Sequence, residues 1–407
     1  MEKKQNRPAL RFQGFSGEWE KNTVGKIFEV TRGETLAVHN TSSTQNSVMN
    51  YPVYSSQTKN NGLMGYYSKY LFENAITWTT DGANAGTVRF RKGKFYCTNV
   101  CGVLLSKQGY ANTFMAETLN KVAWKHVSKV GNPKLMNNVM KEICIYVPGN
   151  IEEQNKLAVY LEELDLNIFN RVQKIQKLQQ FRQAMMAKLF PREGAAEPEL
   201  RFRGFSGKWV SRSFEELFSL LPTNNLARSD LNSEYGKIRD IHYGDILIKY
   251  NDLINVADKD LPFISLNMEV KTNALLRDGD IVIADTAEDM TVGKCVEIVN
   301  VGRESVVSGL HTIACRPLEP FAAGFLGYFF NSHLYHNQLI PLMQGIKVTS
   351  ISKNALKDTV VYFPSEFNEQ KKIGQFFKEL DSFISLQQKK LERMQRLKAA
   401  LLEKMFV

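Results

Sequence analysis

Residues 151–190 read IEEQNKLAVYLEELDLNIFNRVQKIQKLQQFRQAMMAKLF. No Pro or Gly interrupts them, so nothing in the stretch breaks a helix. Leu157, Leu161, Leu164, Ile168, Ile175 and Leu178 recur at spacings of three and four and wrap one helical face. A globular helix averages about 10–14 residues, so one of about 40 points to a coiled coil or a strut, roughly 60 Å long at ~1.5 Å per residue.

A long helix with one apolar face needs a partner, and the chain supplies one. VPGNIEEQNKLAVYLEELD at 147–165 lies over FPSEFNEQKKIGQFFKELD at 363–381, shifted by 216 residues, and AKLF at 187–190 matches EKMF at 403–406. The shift brings the first seam into register with Ile373, Phe377, Leu380, Ile384, Leu391 and Met394. Each copy has one polar seam position, Arg171 and Gln387. Such a residue lowers the stability of a coiled coil and can set its register; a locally open seam is the other reading. Acids come early in the first helix (Glu152, Glu153, Glu162, Glu163, Asp165) and bases late (Arg171, Lys174, Lys177, Arg182, Lys188). The second helix also ends in bases, Lys389, Lys390, Arg393, Arg396 and Lys398. This order suits the helix dipole, and antiparallel pairing sets basic ends against acidic ones.

A second repeat lies outside the helices. PALRFQGFSGEW (8–19) and PELRFRGFSGKW (198–209) are identical at nine of twelve positions, at an offset of 190. The chain therefore reads box, variable region, helix, and then the same again, with 26 more residues in the second variable region. The variable regions, 20–146 and 210–362, share little, yet both look alternately stranded. ENAITWTTDG and GTVRFRKGKFYCTNVCGVLL in the first, and GDIVIADTAED, KCVEIVNVG and VVSGLHTIACRPL in the second, are rich in β-branched and aromatic residues. The expected fold is α+β: two globular α/β domains separated by two long helices that form an antiparallel coiled coil, with an internal pseudo-two-fold repeat. The expected boundaries are a first domain at 1–149, a helix at 150–192, a second domain at 193–363 and a helix at 364–407. PREGAAEPE (191–199) reads as a short linker between the halves.

Hydrophobic content of 43% and charged content of 23% are ordinary for a globular protein. A net charge of +10 and a pI near 9.1 favour an anionic partner, nucleic acid first and anionic membrane second. Five cysteines without a C-x-x-C pair fit reduced, mostly buried thiols, with Cys97 and Cys101 in a buried strand. The N-terminus, MEKKQNRPAL, has no apolar signal region, and the most apolar run, Phe321 to Phe330, is far shorter than the ~20 residues of a membrane span. A soluble, cytoplasmic protein is expected.

Catalytic motifs are missing. There is no phosphate-binding G-x-x-x-x-G-K-[ST], no dinucleotide fingerprint and no Asn-Pro-Pro-aromatic motif of amino-methyltransferases. His333 and His336 stand three apart on a helix without a second ligand pair, so packing or surface exposure is favoured over metal binding. The expectation is a non-catalytic chain that holds no metal or cofactor.

What remains suits nucleic acid. Arg89, Arg91, Lys92 and Lys94 interleave with Phe90, Phe95 and Tyr96 and lead into Thr98 and Asn99. Bases of this kind can hold phosphates while Asn, Thr and Ser reach base edges, although a solvated strand gives the same alternation. Asn84 lies in DGANAG (81–86), either a plain turn or a place where backbone approaches a ligand. Tyr54, Ser55, Asn60, Asn61 and Tyr66 fall in YSSQTKNNGLMGYY (54–67), the composition of a base-reading loop. The counterparts in the second region are Lys249-Tyr250-Asn251, Ser308-Gly309-Leu310-His311 and Gln344-Gly345-Ile346-Lys347, with Ser350 beyond.

With these pieces assembled, the chain resembles the specificity (S) subunit of type I restriction–modification enzymes. The resemblance is carried by the paired LRF-x-GFSG-x-W boxes, the paired P-x-x-x-x-EQ-x-x-(I/L) helices ending in (L/M)F, and YPVYSSQTKNNGLMGYY…ITWTTDGANAGTV…KFYCTNVCGVLL, which looks like a target-recognition domain. It implies that each variable domain reads one half of a bipartite site in double-stranded DNA, with the helices as ruler. It also implies two docked methyltransferase subunits, restriction subunits joining outside them, and DNA-mimic anti-restriction proteins as further candidate partners. The chain itself would be non-catalytic, its partners using S-adenosylmethionine, ATP and magnesium. The rival reading is a two-headed coiled-coil scaffold that binds proteins rather than DNA.

Overall fold

The computed structural model describes residues 6–56, 59–258, 261–265 and 274–407; Gln57 and Thr58 of the 54–67 stretch lie outside them. The long stretches are helices, Ile151–Leu189 and Phe367–Lys404. The chain divides into two compact units, Met1–Gln173 with Lys389–Val407, and Lys174–Gln388.

The first unit is built on a six-stranded sheet in the order Glu29–Arg32, Cys101–Leu105, Phe72–Thr79, Val88–Cys97, Tyr51–Tyr54, Leu63–Tyr67. All neighbours run antiparallel except Tyr51–Tyr54 and Val88–Cys97, which pair in parallel with Val53 opposite Tyr96. Helix Thr113–Ala123 starts where the Asn112 side chain accepts the Met115 N–H at 3.0 Å, the usual service of an Asn N-cap. Its Phe114, Met115 and Leu119 join Ile76, Trp78 and Leu104 in one core. Leu157, Leu161 and Leu164 of the first long helix, and Leu401, Met405 and Phe406 from the chain's end, complete that core. The seam of the long helix is thus covered by the domain it follows as well as by its partner helix.

The second unit holds a five-stranded sheet, in the order Phe218–Leu221, Thr312–Pro317, Ile281–Ala284, Cys295–Val299, Leu253–Asn255. A four-stranded sheet of Leu231–Asn232, Phe263–Ile264, Arg239–Ile241 and Val306–Ser308 accompanies it. Helices Phe325–Phe330 and His333–Leu339 bury Phe325, Phe329, Phe330 and Tyr335 in the core, where Phe190 stacks on Phe377 at 6.0 Å.

The two repeated motifs bond to each other. Arg11 donates from Nε and Nη2 to the two carboxylate oxygens of Glu153, each at 2.6 Å, and from Nη1 to the Gly17 carbonyl at 2.6 Å. Arg201 grips Glu369 in the same way at 2.8 and 2.7 Å, with Nη1 on the Gly207 carbonyl. The next glutamines tie down the residue that opens each motif: Gln154 Nε2 donates to Pro148 O at 3.2 Å, and Gln370 Nε2 to Pro364 O at 2.9 Å. Leu10 N–H then bonds Lys404 O, and Leu200 N–H bonds Lys188 O, each at 2.9 Å. Each box therefore holds the start of one long helix and the end of the other. Gly14, Gly17, Gly204 and Gly207 all have φ between 87° and 99°, which is why the box carries two glycines.

Within the second unit the helical segments run in opposite directions: Phe190 meets Phe377, Arg182 meets Asp381, and Lys174 lies over Phe383. In the first unit Asp165 pairs with Lys398 at 2.6 Å. Leu157, Leu161, Leu164, Ile175, Ile373, Phe377 and Ile384 are buried, and Ile168, Leu178, Leu380, Leu391 and Met394 half-buried. Gln387 is buried and Arg171 half-buried.

Two expectations need correction. PREGAAEPE is a closed turn rather than a free linker: Pro191 bridges Pro198, Ala195 N–H bonds Arg192 O at 2.9 Å, and Lys188 and Arg192 both pair with Glu199. Cys97 ends one strand and Cys101 begins the next, so they flank a tight turn instead of sharing a strand. Four cysteines are buried and Cys144 is exposed. Among the described residues no helix is long and apolar enough to cross a membrane.

Candidate nucleic-acid interface

In the first unit, strand Val88–Cys97 lies between Phe72–Thr79 and Tyr51–Tyr54, so its residues meet groups from both neighbours. Arg91 turns inward. Its guanidinium lies 3.7 Å from the centre of the Tyr54 ring, Nε donates to Thr77 Oγ1 at 3.0 Å, and Nη1 donates to Asn61 O at 2.9 Å. Burial pushes its pKa down, and a cation held this way by a ring face and two fixed acceptors organises a site rather than roaming a phosphate backbone. Thr98 is buried as well and donates from Oγ1 to Ser55 Oγ at 3.0 Å. Tyr54, Ser55, Asn61, Arg91 and Thr98 are thereby brought together, and Arg89 joins Ser55, Asn61 and Arg91 around a small cavity of about 10 Å³, room for about one water. Cys101 also lines it, its thiol pushed by burial up to about 11.

The 54–67 stretch is only half a loop. Asn60 and Asn61 have φ of 52° and 55°, in the left-handed region that asparagine tolerates, but Leu63–Tyr67 is a strand, and Tyr66 is half-buried on it. Asn84 sits in a turn closed by Ala85 N–H on Gly82 O at 2.9 Å and Thr87 N–H on Asn84 O at 3.1 Å. The close backbone approach there is to the protein itself: a Cβ on Gly86 would come within 2.8 Å of Val127 Cγ2. Lys92 and Lys94 do not join the Arg91 cluster. Lys92 reaches Glu162 on the first long helix at 3.2 Å, and Lys94 stands 4.7 Å over the Tyr70 ring, which raises its pKa. Asn99 is exposed.

Beside Lys92 runs a cleft of about 920 Å³ between the sheet and the first long helix, lined by Phe90, Leu166 and Phe169 with Glu117, Glu162, Glu163 and Asp165. Arg89, Arg91, Lys92 and Lys398 line it too, and Lys92 pairs with Glu162 while Lys398 pairs with Glu117 and Asp165, so the cleft carries both signs of charge.

In the second unit the structure joins segments that the sequence keeps apart. Asp285 N–H bonds His311 O at 3.1 Å, the two side chains are 3.6 Å apart, and Ile351 N–H bonds Asp285 O at 2.8 Å. Thr286 pairs with Ser350, and Gln344 with Ser350. Tyr243 meets the His311 ring edge-on at 5.3 Å. Gln344, Lys347, Ser350 and His311 thus share one edge with Tyr243, Asp285 and Thr286, three residues sequence reasoning missed because they lie on separate elements with no local pattern. Lys249 and Asn251 are exposed just past helix Tyr243–Ile248.

Two candidates leave the surface. Tyr250 is 1% exposed and its carbonyl accepts Lys294 Nζ at 2.8 Å. Ser308 is fully buried and bonds Thr312. Both side chains are enclosed by the fold, Tyr250 in a core with Ile246 and Ile254, and Ser308 on strand Val306–Ser308, whose three residues are all buried. Gly309 follows because a Cβ would lie 2.4 Å from Asp240 Oδ1, a carboxyl pushed by burial up to about 6.

Charge is divided unevenly. Residues 1–150 hold 19 Lys and Arg against 9 Asp and Glu, a net +10, whereas residues 211–360 hold 14 against 19, a net −5. The whole-chain value conceals this.

The model of the type I restriction modification DNA specificity domain matches twice, over residues 16–180 and 207–396. The chain belongs to that family. Its two matched segments each carry one strand-rich region and most of one long helix. The specificity subunit of the type I restriction enzyme MpnII of Mycoplasma pneumoniae is 35% identical over 151 residues, covering 36% of this chain and 44% of that protein. The aligned stretches span from about a third to under two thirds of the curated relatives' lengths. The crystal structure of a type I restriction–modification S subunit from M. genitalium has a similar fold at a TM-score of 0.66 and 17% identity, covering 98% of this chain and 99% of that one. A structure from work on complex assembly and conformational transition of the type I system gives 0.53 at 16% identity, covering 95% and 97%.

Proposed function

We propose that this specificity-family chain is the DNA-reading, non-catalytic subunit of a type I restriction–modification complex acting on cytoplasmic DNA. The domain at 1–149 reads one half of a bipartite site and the domain at 193–363 the other. The helices, 150–192 and 364–407, pair as an antiparallel coiled coil and set the number of unread base pairs between half-sites. The observation that carries this reading is the doubled clamp, Arg11–Glu153 and Arg201–Glu369, in which each box holds the start of one helix and the end of the other. A chain built this way offers two different reading surfaces on two equivalent supports.

Equivalent supports suit two copies of one partner. Phe12 meets Tyr160 edge-on at 5.6 Å with Lys156 over the Phe12 ring, and Phe202 meets Phe376 at 5.8 Å with Lys372 over Phe205. This aromatic ledge appears once per repeat, and two methyltransferase subunits are the partners assigned to it. Restriction subunits join that assembly, and anti-restriction proteins that mimic DNA compete for its reading surfaces. S-adenosylmethionine, ATP and magnesium belong to the partners.

Sequencing modified bases genome-wide in cells carrying the chain and its partners tests the reading. One methylated motif of two half-sites separated by a fixed gap is expected; a single continuous motif would overturn it. The scaffold alternative predicts duplex affinity that is flat in salt, where phosphate contacts give a steep fall.

A further inference from the structure

Residues 344–350 of the second unit form a small closed loop. Gln344 N–H bonds Ser350 O at 3.0 Å, and Ser350 N–H bonds Gln344 O at 2.8 Å. Pairing of Thr286–Ala287 with Thr349–Ser350 fastens its base to the edge that carries His311 and Asp285. Gly345 has φ of 109°, and a Cβ there would lie 2.0 Å from Val348 O, so the turn closes too tightly for a side chain. At its tip Ile346 is 101% exposed, and Val348 is 52% exposed. A loop tied at both ends presents its tip in one place, and there the whole apolar surface of Ile346 is available to a partner, whose contact would remove it from water.

The surroundings name the partner. Lys347 follows directly, and Gln344, Thr286 and His311 supply the hydrogen-bonding groups used on base edges. The −5 balance of residues 211–360 leaves this domain without the phosphate attraction available to the first. Apolar side chains driven between base steps are another source of DNA affinity, opening the stack so that more protein surface makes contact.

We propose that Ile346 is a wedge that enters the base stack within the half-site read by the second domain. Lys347 holds the adjacent phosphate and Gln344 faces a base edge. The inference rests on the DNA-reading role proposed above. It adds a residue that acts on DNA shape rather than on hydrogen-bond pattern.

The test uses the full chain in complex with its methyltransferase subunits and a duplex built on the motif from the methylation map. 2-Aminopurine is placed in turn at each position of the second half-site. A severalfold rise in its fluorescence at one step is expected on binding. Ile346→Ala should abolish that rise and weaken binding on the order of tenfold, the factor burial of part of one aliphatic side chain supplies. Ile346→Leu should retain both. Because the wedge is apolar, Ile346→Ala should keep the parent's salt dependence, whereas Lys347→Ala should lower the slope by about one. Binding with flat fluorescence throughout that half-site, or with a rise that Ile346→Ala leaves intact, overturns the wedge and spares the DNA-reading role. Loss of methyltransferase subunits from the Ile346→Ala complex with unstacking unchanged also overturns it, since protein then covers the tip. Absence of any binding to the mapped motif overturns the DNA-reading role itself.

Discussion

Replacing Arg11 with alanine should strand a buried carboxylate. Glu153 is 1% exposed and receives two N–H groups from Arg11 at 2.6 Å, while the Arg11 side chain is 17% exposed. Removing one partner of a buried pair costs about 3–5 kcal/mol, because the remaining charge is left without compensation. The reverse change should cost less. In Glu153→Ala the guanidinium keeps Gly17 O and reaches water through its exposed edge, so about 1–2 kcal/mol is expected, the scale of a lost charge-assisted hydrogen bond. The asymmetry is the signature of burial. Urea denaturation of the full chain measures both, read by tryptophan fluorescence in a Trp209→Phe background so that Trp19, Trp78 and Trp124 report the first unit alone. Equal costs for the two variants, or a cost below about 1 kcal/mol for Arg11→Ala, would refute the reasoning. Arg201 and Glu369, at 16% and 1% exposure, should repeat the pattern in the second unit.

Lys92→Ala with Lys94→Ala should weaken duplex binding alike for all sequences and lower the slope of log affinity against log salt by about two, as filter binding across a salt series would reveal. Glu297 is fully buried and accepts N–H groups of Gly324 and Gly327 at 2.6 and 2.8 Å, its pKa pushed by burial up to about 7. A folded pKa above the unfolded one means stability is lost as pH rises from about 4.5 to about 7, by about 3 kcal/mol. Thermal melts at pH 5 and pH 8 should show the loss, and Glu297→Gln should remove about half of it, leaving the same-sign contributions of Asp240 and Asp252, both near 6. Four residues inserted after Gln173 should change the spacer in the methylation map while both half-sites persist; altered half-sites would mean the helices are not spacers.

The candidate interface was legible in part. Arg89 to Asn99 was visible as a basic and aromatic run, but alternation along a strand says only that neighbours point to opposite faces. It cannot say that Arg91 is captured by Tyr54, Thr77 and Asn61, or that Lys92 turns to Glu162. Those partners lie 14 to 70 residues away. Ser308 and Tyr250 had the right chemistry and the wrong burial, and burial is set by what packs from elsewhere. The half-by-half charge balance was readable in the chain and was hidden only by averaging.

Sequence by itself determined the duplication, the two helices with their seam, and the order of box, variable region and helix, because repeats and a 3.6-residue period are written in local spacing. It also placed the chain in its family. Only the tertiary structure decided what the repeated residues are for: a box arginine, a helix glutamate and the far end of the other helix converge on one clamp. It alone joined His311, Thr286 and Ser350 into one edge and set Ile346 at its tip. Convergence of that kind depends on hydrogen bonds and burial between distant segments, and no local pattern encodes which distant segment arrives.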